Sequence, residues 1–119
     1  MPKLLIVDDE ADIREFAKNY FRKRSIDVTT ANSGREALEF LQKQQFDLTL
    51  LDVRMAEMSG MDVLRALKES QKSAKIIMVT GVEDEATMQE AQRLGVFAYI
   101  HKPLILDELE KIVLAQLNS

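Results

Sequence analysis

Leu4-Leu5-Ile6-Val7 is an unbroken apolar run, and Ile13, Phe16, Ala17, Tyr20 and Phe21 follow it at steps of three and four. The first pattern suits a strand covered on both faces; the second is a single apolar stripe on a helix. The same pairing recurs along the chain. Val28-Thr29-Thr30-Ala31 precedes a helix carrying Ala37, Leu38 and Leu41, opened by Ser33-Gly34-Arg35-Glu36 in the form of a capping box. Leu48-Thr49-Leu50-Leu51 precedes Val63, Leu64 and Leu67; Ile76-Ile77-Met78-Val79 precedes Ala91 and Leu94, with Gly95 as the expected C-terminal cap. Val96-Phe97-Ala98-Tyr99-Ile100 precedes Leu109, Ile112, Val113 and Leu117, and Asp107 and Glu108 suit the positive end of that helix's dipole.

Strand-helix units in this alternation predict an α/β fold: one five-stranded parallel sheet, right-handed crossovers and five helices on its two faces. Runs one, three and four are the most apolar and read as central strands; two and five are mixed and read as edges. Periodicity leaves the strand order open. The flavodoxin-like, doubly wound order 2-1-3-4-5 is the common choice for five strands and is the order expected here.

The 119 residues suit one domain over 1–119, and 46% hydrophobic content is enough for a core. A formal net charge of -4 lacks the dense basic face that direct nucleic-acid binding needs. The absence of cysteine excludes disulfides and thiolate metal sites. Apolar runs of four or five residues are far short of a membrane span, and no signal-peptide pattern opens the chain. A cytoplasmic protein without membrane insertion is the expectation.

In a sheet of this kind ligands bind beyond the carboxyl ends of the strands. Strand one ends in Asp8-Asp9-Glu10, strand three in Asp52, strand four in Thr80-Gly81, and His101-Lys102-Pro103 follows strand five. Taken singly, each has a plain structural explanation: a helix N-terminal charge, a turn residue, a lysine whose stem covers apolar surface. Those explanations predict no common location, whereas the assumed order brings all of them to one edge. Carboxylates gathered at ~5 Å repel by about 1–3 kcal/mol per pair at effective dielectric constants of 20–80. A hard divalent cation such as magnesium would remove that repulsion and shares its shell readily with phosphate oxygens.

Over essentially its whole length the sequence resembles the receiver domain of two-component response regulators. The matching segments are Val7-Asp8-Asp9-Glu10, Leu51-Asp52-Val53-Arg54-Met55, Met58-Ser59-Gly60, Val79-Thr80-Gly81 and Lys102-Pro103-Leu104. The resemblance implies that Asp52 accepts a phosphoryl group. It implies that Asp8, Asp9, Asp52 and the main-chain carbonyl of Arg54 serve a magnesium ion, Asp8 through metal-bound water. Lys102 would pair with the acceptor or its phosphate, Thr80 would be the switch hydroxyl, and Tyr99 the ring that reorients. The Lys102-Pro103 bond resembles the family's cis peptide. The implied partners are a sensor histidine kinase or phosphotransfer protein, with an output domain or second copy meeting the surface of helix 4, strand 5 and helix 5.

Two departures stand out. Ala56 occupies a position where many members have proline, and Arg54 places a long cation where a small or amide side chain is common. The resemblance also implies that Arg54 and Val82 would line the approach of a hydrolytic water; neither can act as a base, so slow loss of the phosphoryl group is expected. The sole histidine, His101, reads as a loop residue, and Met55, Met58 and Met61 read as adaptable packing. An aspartate-nucleophile phosphatase would want a second aspartate where Arg54 stands. A nucleotide-binding protein would want a glycine-rich loop where Asp8-Asp9-Glu10 stands. A phosphorylation-independent interaction module of receiver ancestry remains the alternative, although the acid pair, acceptor and lysine are all present. Beyond chemistry on its own Asp52, the chain is expected not to be an enzyme.

Overall fold

Every strand pairs in parallel, in the order β2-β1-β3-β4-β5. The computed structural model describes residues 1–55, 57–81, 85–102 and 105–117. Its elements are β1 Lys3–Val7, α1 Ala11–Arg22, β2 Asp27–Ala31, α2 Gly34–Lys43, β3 Leu48–Asp52, α3 Gly60–Glu69, β4 Ile76–Thr80, α4 Glu85–Arg93, β5 Ala98–His101 and α5 Leu106–Leu117. The central position of β1, β3 and β4 explains their unbroken apolar runs, since each is covered above and below.

The period of two along the strands divides the core. Leu5, Val7, Leu51, Ile76 and Met78 meet Ala37 and Leu41 of α2, Val63, Leu64 and Leu67 of α3, and Ala91 of α4. Leu4, Ile6, Leu48, Leu50, Ile77 and Val79 meet Ala17 and Phe21 of α1 and Leu109 and Val113 of α5. Two clasps hold helices to one another on these faces. Tyr20 donates to Glu110 at 2.8 Å, Arg24 ion-pairs with the same carboxylate and lies 3.6 Å above the Tyr20 ring, so α1 and α5 are joined. Arg65 donates two bonds to Glu90, at 2.8 and 3.0 Å, and a third to Asp62 at 2.9 Å, joining α3 to α4.

The helix ends follow their local chemistry, with three departures from expectation. Ser33 accepts from the Glu36 N–H at 3.1 Å, but the Glu36 carboxylate takes the N–H of Asn32 rather than closing the box on Ser33. The complete reciprocal box is at α3, between Ser59 and Asp62. Strand β5 begins at Ala98 rather than Val96, because the chain is still completing α4 there. Gly95, at φ 92°, donates to Gln92 and Val96 donates back to Ala91, the paired bonds of a Schellman ending. Phe16 lies at the margin of the α1 stripe and is 64% exposed, while Ala17 and Phe21 carry the packing. Among the described residues no helix is long and apolar enough to cross a membrane.

Candidate phosphoryl-acceptor site

Asp52 is the last residue of β3 and is only 3% exposed, as is Asp8, immediately beyond β1. Strand geometry brings them together. Val7 is level with Leu51, and the Asp8 N–H continues the β1–β2 ladder to the Ala31 carbonyl at 3.2 Å. On the other flank, Asp52 is level with Val79, Thr80 with His101, and the Lys102 N–H bonds the Thr80 carbonyl at 2.7 Å. That last bond brings Lys102 to Asp52. Its Nζ lies 2.9 Å from Asp52 Oδ2 and 3.6 Å from Asp8 Oδ2, bridging two buried carboxylates.

The remaining Asp52 oxygen, Oδ1, accepts the main-chain N–H of Arg54 at 3.2 Å, while the Arg54 side chain is exposed. Asp8 Oδ1 likewise accepts the Glu10 N–H at 2.8 Å, and Arg14 of α1 donates from its guanidinium to the Asp8 carbonyl at 2.7 Å. Carboxylate oxygens of Asp8, Asp9 and Glu10 all lie within 4.8 Å of one another. This set of hard oxygen donors beside Asp52 suits magnesium.

Thr80 is fully buried at the end of β4, and Tyr99 is half-buried on β5 beside Met78. They share the parity of Ile76 and Met78, on the α2–α4 side of the sheet, whereas Asp8 and Asp52 continue the parity of Ile6 and Leu50, on the α1–α5 side. His101 is exposed and packs edge-on to Tyr99, with ring centroids 5.5 Å apart. Met61 is buried, and Met55 and Met58 pack against the same cluster, as adaptable filling. Ala56, Val82, Pro103 and Leu104, and with them the Lys102-Pro103 bond, lie outside the described residues. Reading by strand ends took in Glu10 but overlooked Arg14. Glu10 joins the acidic cluster, and Arg14, one helical turn after Glu10 in the sequence, reaches back to Asp8.

Burial pushes the Asp52 carboxyl above its usual range, with Asp8 adding to the effect, although the Lys102 ammonium pulls against both. Burial draws Lys102 down, but the Asp52 hydrogen bond and the charges of Asp52, Asp8 and Glu10 outweigh it and hold Lys102 above its ordinary value. A carboxyl whose folded-state pKa is raised costs stability once it ionises. Asp52→Asn is therefore expected to stabilise the metal-free protein at neutral pH by about 1 kcal/mol. The gain should vanish as the pH falls through the raised Asp52 pKa, where the native side chain is itself neutral. Urea unfolding in EDTA at two pH values measures both; an Asp52→Asn variant weaker than native at neutral pH contradicts the assignment of burial as the dominant influence.

Comparison with known proteins decides the family. Residues 4–114 match the model of the response regulator receiver domain. The chain belongs to that family. The receiver is 32% identical over 111 residues to sporulation initiation phosphotransferase F of Bacillus subtilis, covering 93% of this chain and 90% of that one. It is 36% identical to the regulatory protein AtoC of Escherichia coli K12, covering 93% of this chain but 24% of AtoC, so it spans about a quarter of that relative's length. Among solved structures, a CheY-like receiver domain protein from Methanospirillum hungatei superposes with a TM-score of 0.92 at 27% identity, over 99% and 94% of the two chains. The response regulator TrrA of Thermotoga maritima, solved in complex with Mg(2+)-BeF, superposes with a TM-score of 0.85 at 32% identity, over 98% and 100%. The receiver fold and its acidic cluster are thus those of a signalling family, one of whose members was solved with magnesium at hand.

Proposed function

We propose that this receiver is a phosphorylation-dependent switch in which Asp52 takes a phosphoryl group from a phosphohistidine on a sensor kinase or phosphotransfer protein. The observation that carries the reading is Lys102 Nζ at 2.9 Å from Asp52 and 3.6 Å from Asp8. A lone buried carboxylate would protonate; one held against an ammonium stays available as a nucleophile. In the transfer an Asp52 oxygen forms the new bond to phosphorus, the donor's P–N bond breaks, and its electron pair returns to the departing imidazole. Lys102 neutralises charge on the arriving phosphoryl oxygens. Asp8, Asp9, Asp52 and the Arg54 carbonyl would hold Mg2+, which when bound screens the negative charge of carboxylates and phosphoryl group together. The chain's chemistry is confined to its own acceptor, in a cytoplasmic setting. Neither Arg54 nor Val82 has a side chain that can act as a base toward water, so hydrolysis of the acyl phosphate is slow.

The test is mass analysis of the intact chain after incubation with acetyl phosphate. Native protein is expected to gain one phosphoryl group with Mg2+ and none in EDTA, and Asp52→Asn should gain none in either. Equal labelling of the variant sinks the acceptor; no labelling of the native chain favours a phosphorylation-independent binding module.

The response follows from the far side of the sheet. A phosphoryl group adds strong acceptor oxygens one residue from Thr80, whose hydroxyl moves toward them and frees space for the Tyr99 ring. The surface of α4, β5 and α5 then presents a different face to an output domain or a second copy. With beryllofluoride as the phosphoryl mimic, amide shifts are expected to run from Asp52 through Thr80 to Tyr99 and α5. Thr80→Ala should confine them to the acidic site, and full propagation in that variant would rule out the threonine route.

A further inference from the structure

We infer that Arg14 is a positioning residue for the metal-binding turn: it holds the main chain of Asp8 so that the carboxylates of Asp8 and Asp9 are pre-arranged for Mg2+. The inference rests on the magnesium-dependent reading above. Its starting point is a buried main-chain group with no strand partner among the described residues. The β1–β2 register ends at Val7 and Ala31, with the Asp8 N–H to Ala31 carbonyl bond as its last rung, so the Asp8 carbonyl lies beyond that ladder while its residue remains 3% exposed. A buried carbonyl must find a donor elsewhere. Arg14 supplies it, its guanidinium nitrogen lying 2.7 Å from the Asp8 oxygen.

The same residue grips the turn a second time. The Arg14 N–H bonds the Glu10 carbonyl at 3.1 Å, and the Glu10 N–H bonds Asp8 Oδ1 at 2.8 Å. Asp9 is therefore enclosed between two residues that are fixed to each other and to α1. Three carboxylates whose oxygens lie within 4.8 Å would otherwise relieve their repulsion by swinging the turn apart. A charge-assisted bond from a helix to the strand end opposes that movement. Groups that orient metal ligands without touching the metal typically change affinity by roughly 10–100-fold when removed.

Positioning and simple charge predict opposite signs. Removing a cation near an acidic cluster should tighten Mg2+ binding if Arg14 acts only through its charge; removing a clamp should weaken it. Mg2+ titration of amide shifts, with no phosphodonor present, separates the two. Arg14→Gln is expected to weaken Mg2+ roughly tenfold, Arg14→Lys to recover part of that loss, and Arg22→Gln, an exposed arginine on the same helix, to bind as the native chain does. In EDTA, the shifts of Asp8, Asp9 and Glu10 should be displaced in the Arg14 variants and unmoved in Arg22→Gln. Arg14→Gln binding Mg2+ as tightly as native, or more tightly, overturns the inference. So does a variant whose melting temperature falls while its Mg2+ affinity stays native. Should Arg14→Gln not fold, Arg14→Lys carries the test: weaker binding supports the clamp and native affinity overturns it. A native chain that binds no Mg2+ would sink the functional reading itself, a result distinct from either.

Discussion

Lys102→Ala is expected to lose about 2–3 kcal/mol of stability at neutral pH, the cost of breaking a buried ion pair discounted for the solvent that reaches the ammonium. The lysine stands between Asp52 and Asp8, and its removal leaves two nearly inaccessible carboxylates with no cation between them. The pH dependence has a defined sign. The raised Asp52 pKa means that its charge is a liability in the folded state, so the deficit of the variant should shrink as acidification neutralises Asp52. At the alkaline end, Lys102 has a raised pKa, so its contribution is intact below the ordinary lysine range and lost as the pH climbs through the raised value. The gap between native and variant is thus widest between those limits. Mg2+ should narrow it at neutral pH, because a divalent cation satisfies the same carboxylates. Chemical unfolding across pH, with and without Mg2+, tests each part; a variant as stable as native throughout would mean that the ion pair contributes nothing.

Gly60→Ala should be comparably damaging for an unrelated reason. A Cβ added at Gly60 would stand 2.4 Å from the main-chain oxygen of Asp52 and 3.1 Å from the Cα of Val53. Those atoms belong to backbone and cannot swing aside. The Gly60 N–H also donates to the Val53 carbonyl at 2.9 Å, so the first residue of α3 is bonded directly to the end of β3. An added methyl group forces α3 away from the strand and breaks that bond, a loss of about 3 kcal/mol. Because the displaced atoms belong to Asp52, the proposed acceptor, its labelling should slow as well. Gly95→Ala is the useful contrast. Nothing lies within 4 Å of its Cβ, and the strain comes from a φ of 92° alone, so a smaller loss of about 1–2 kcal/mol is expected. Melting curves that rank Gly95→Ala as the more harmful would show that α3 can yield.

The main lines of this fold are legible from residue patterns. Apolar runs one, three and four are central, mixed runs two and five are edges, and the strand-end residues Asp8, Asp52 and Lys102 do come within hydrogen-bonding or ion-pair reach. What escaped depends on docking between elements. Nothing in the spacing marks Gly60 until α3 is seen seated on β3, or Arg14 until the end of the β1–β2 ladder leaves a carbonyl to satisfy. The late start of β5 escaped because Val96 and Phe97 have strand-like side chains, whereas the Schellman bonds of α4 claim the backbone there. The exposure of Phe16 is likewise a matter of how α1 is rotated on the sheet, which spacing alone does not determine.

Strand parity has a consequence for traffic through the molecule. Asp8 and Asp52 carry the strand parity of one side of the sheet and Thr80 and Tyr99 that of the other, so a change at one pair reaches the other only across the sheet. The crossing point is the end of the wall, where Val79 is level with Asp52 and Thr80 is the next residue along. Because α5 lies with α1 and α4 lies on the opposite side, a partner covering α4, β5 and α5 together would wrap the β5 edge of the sheet and touch both sides.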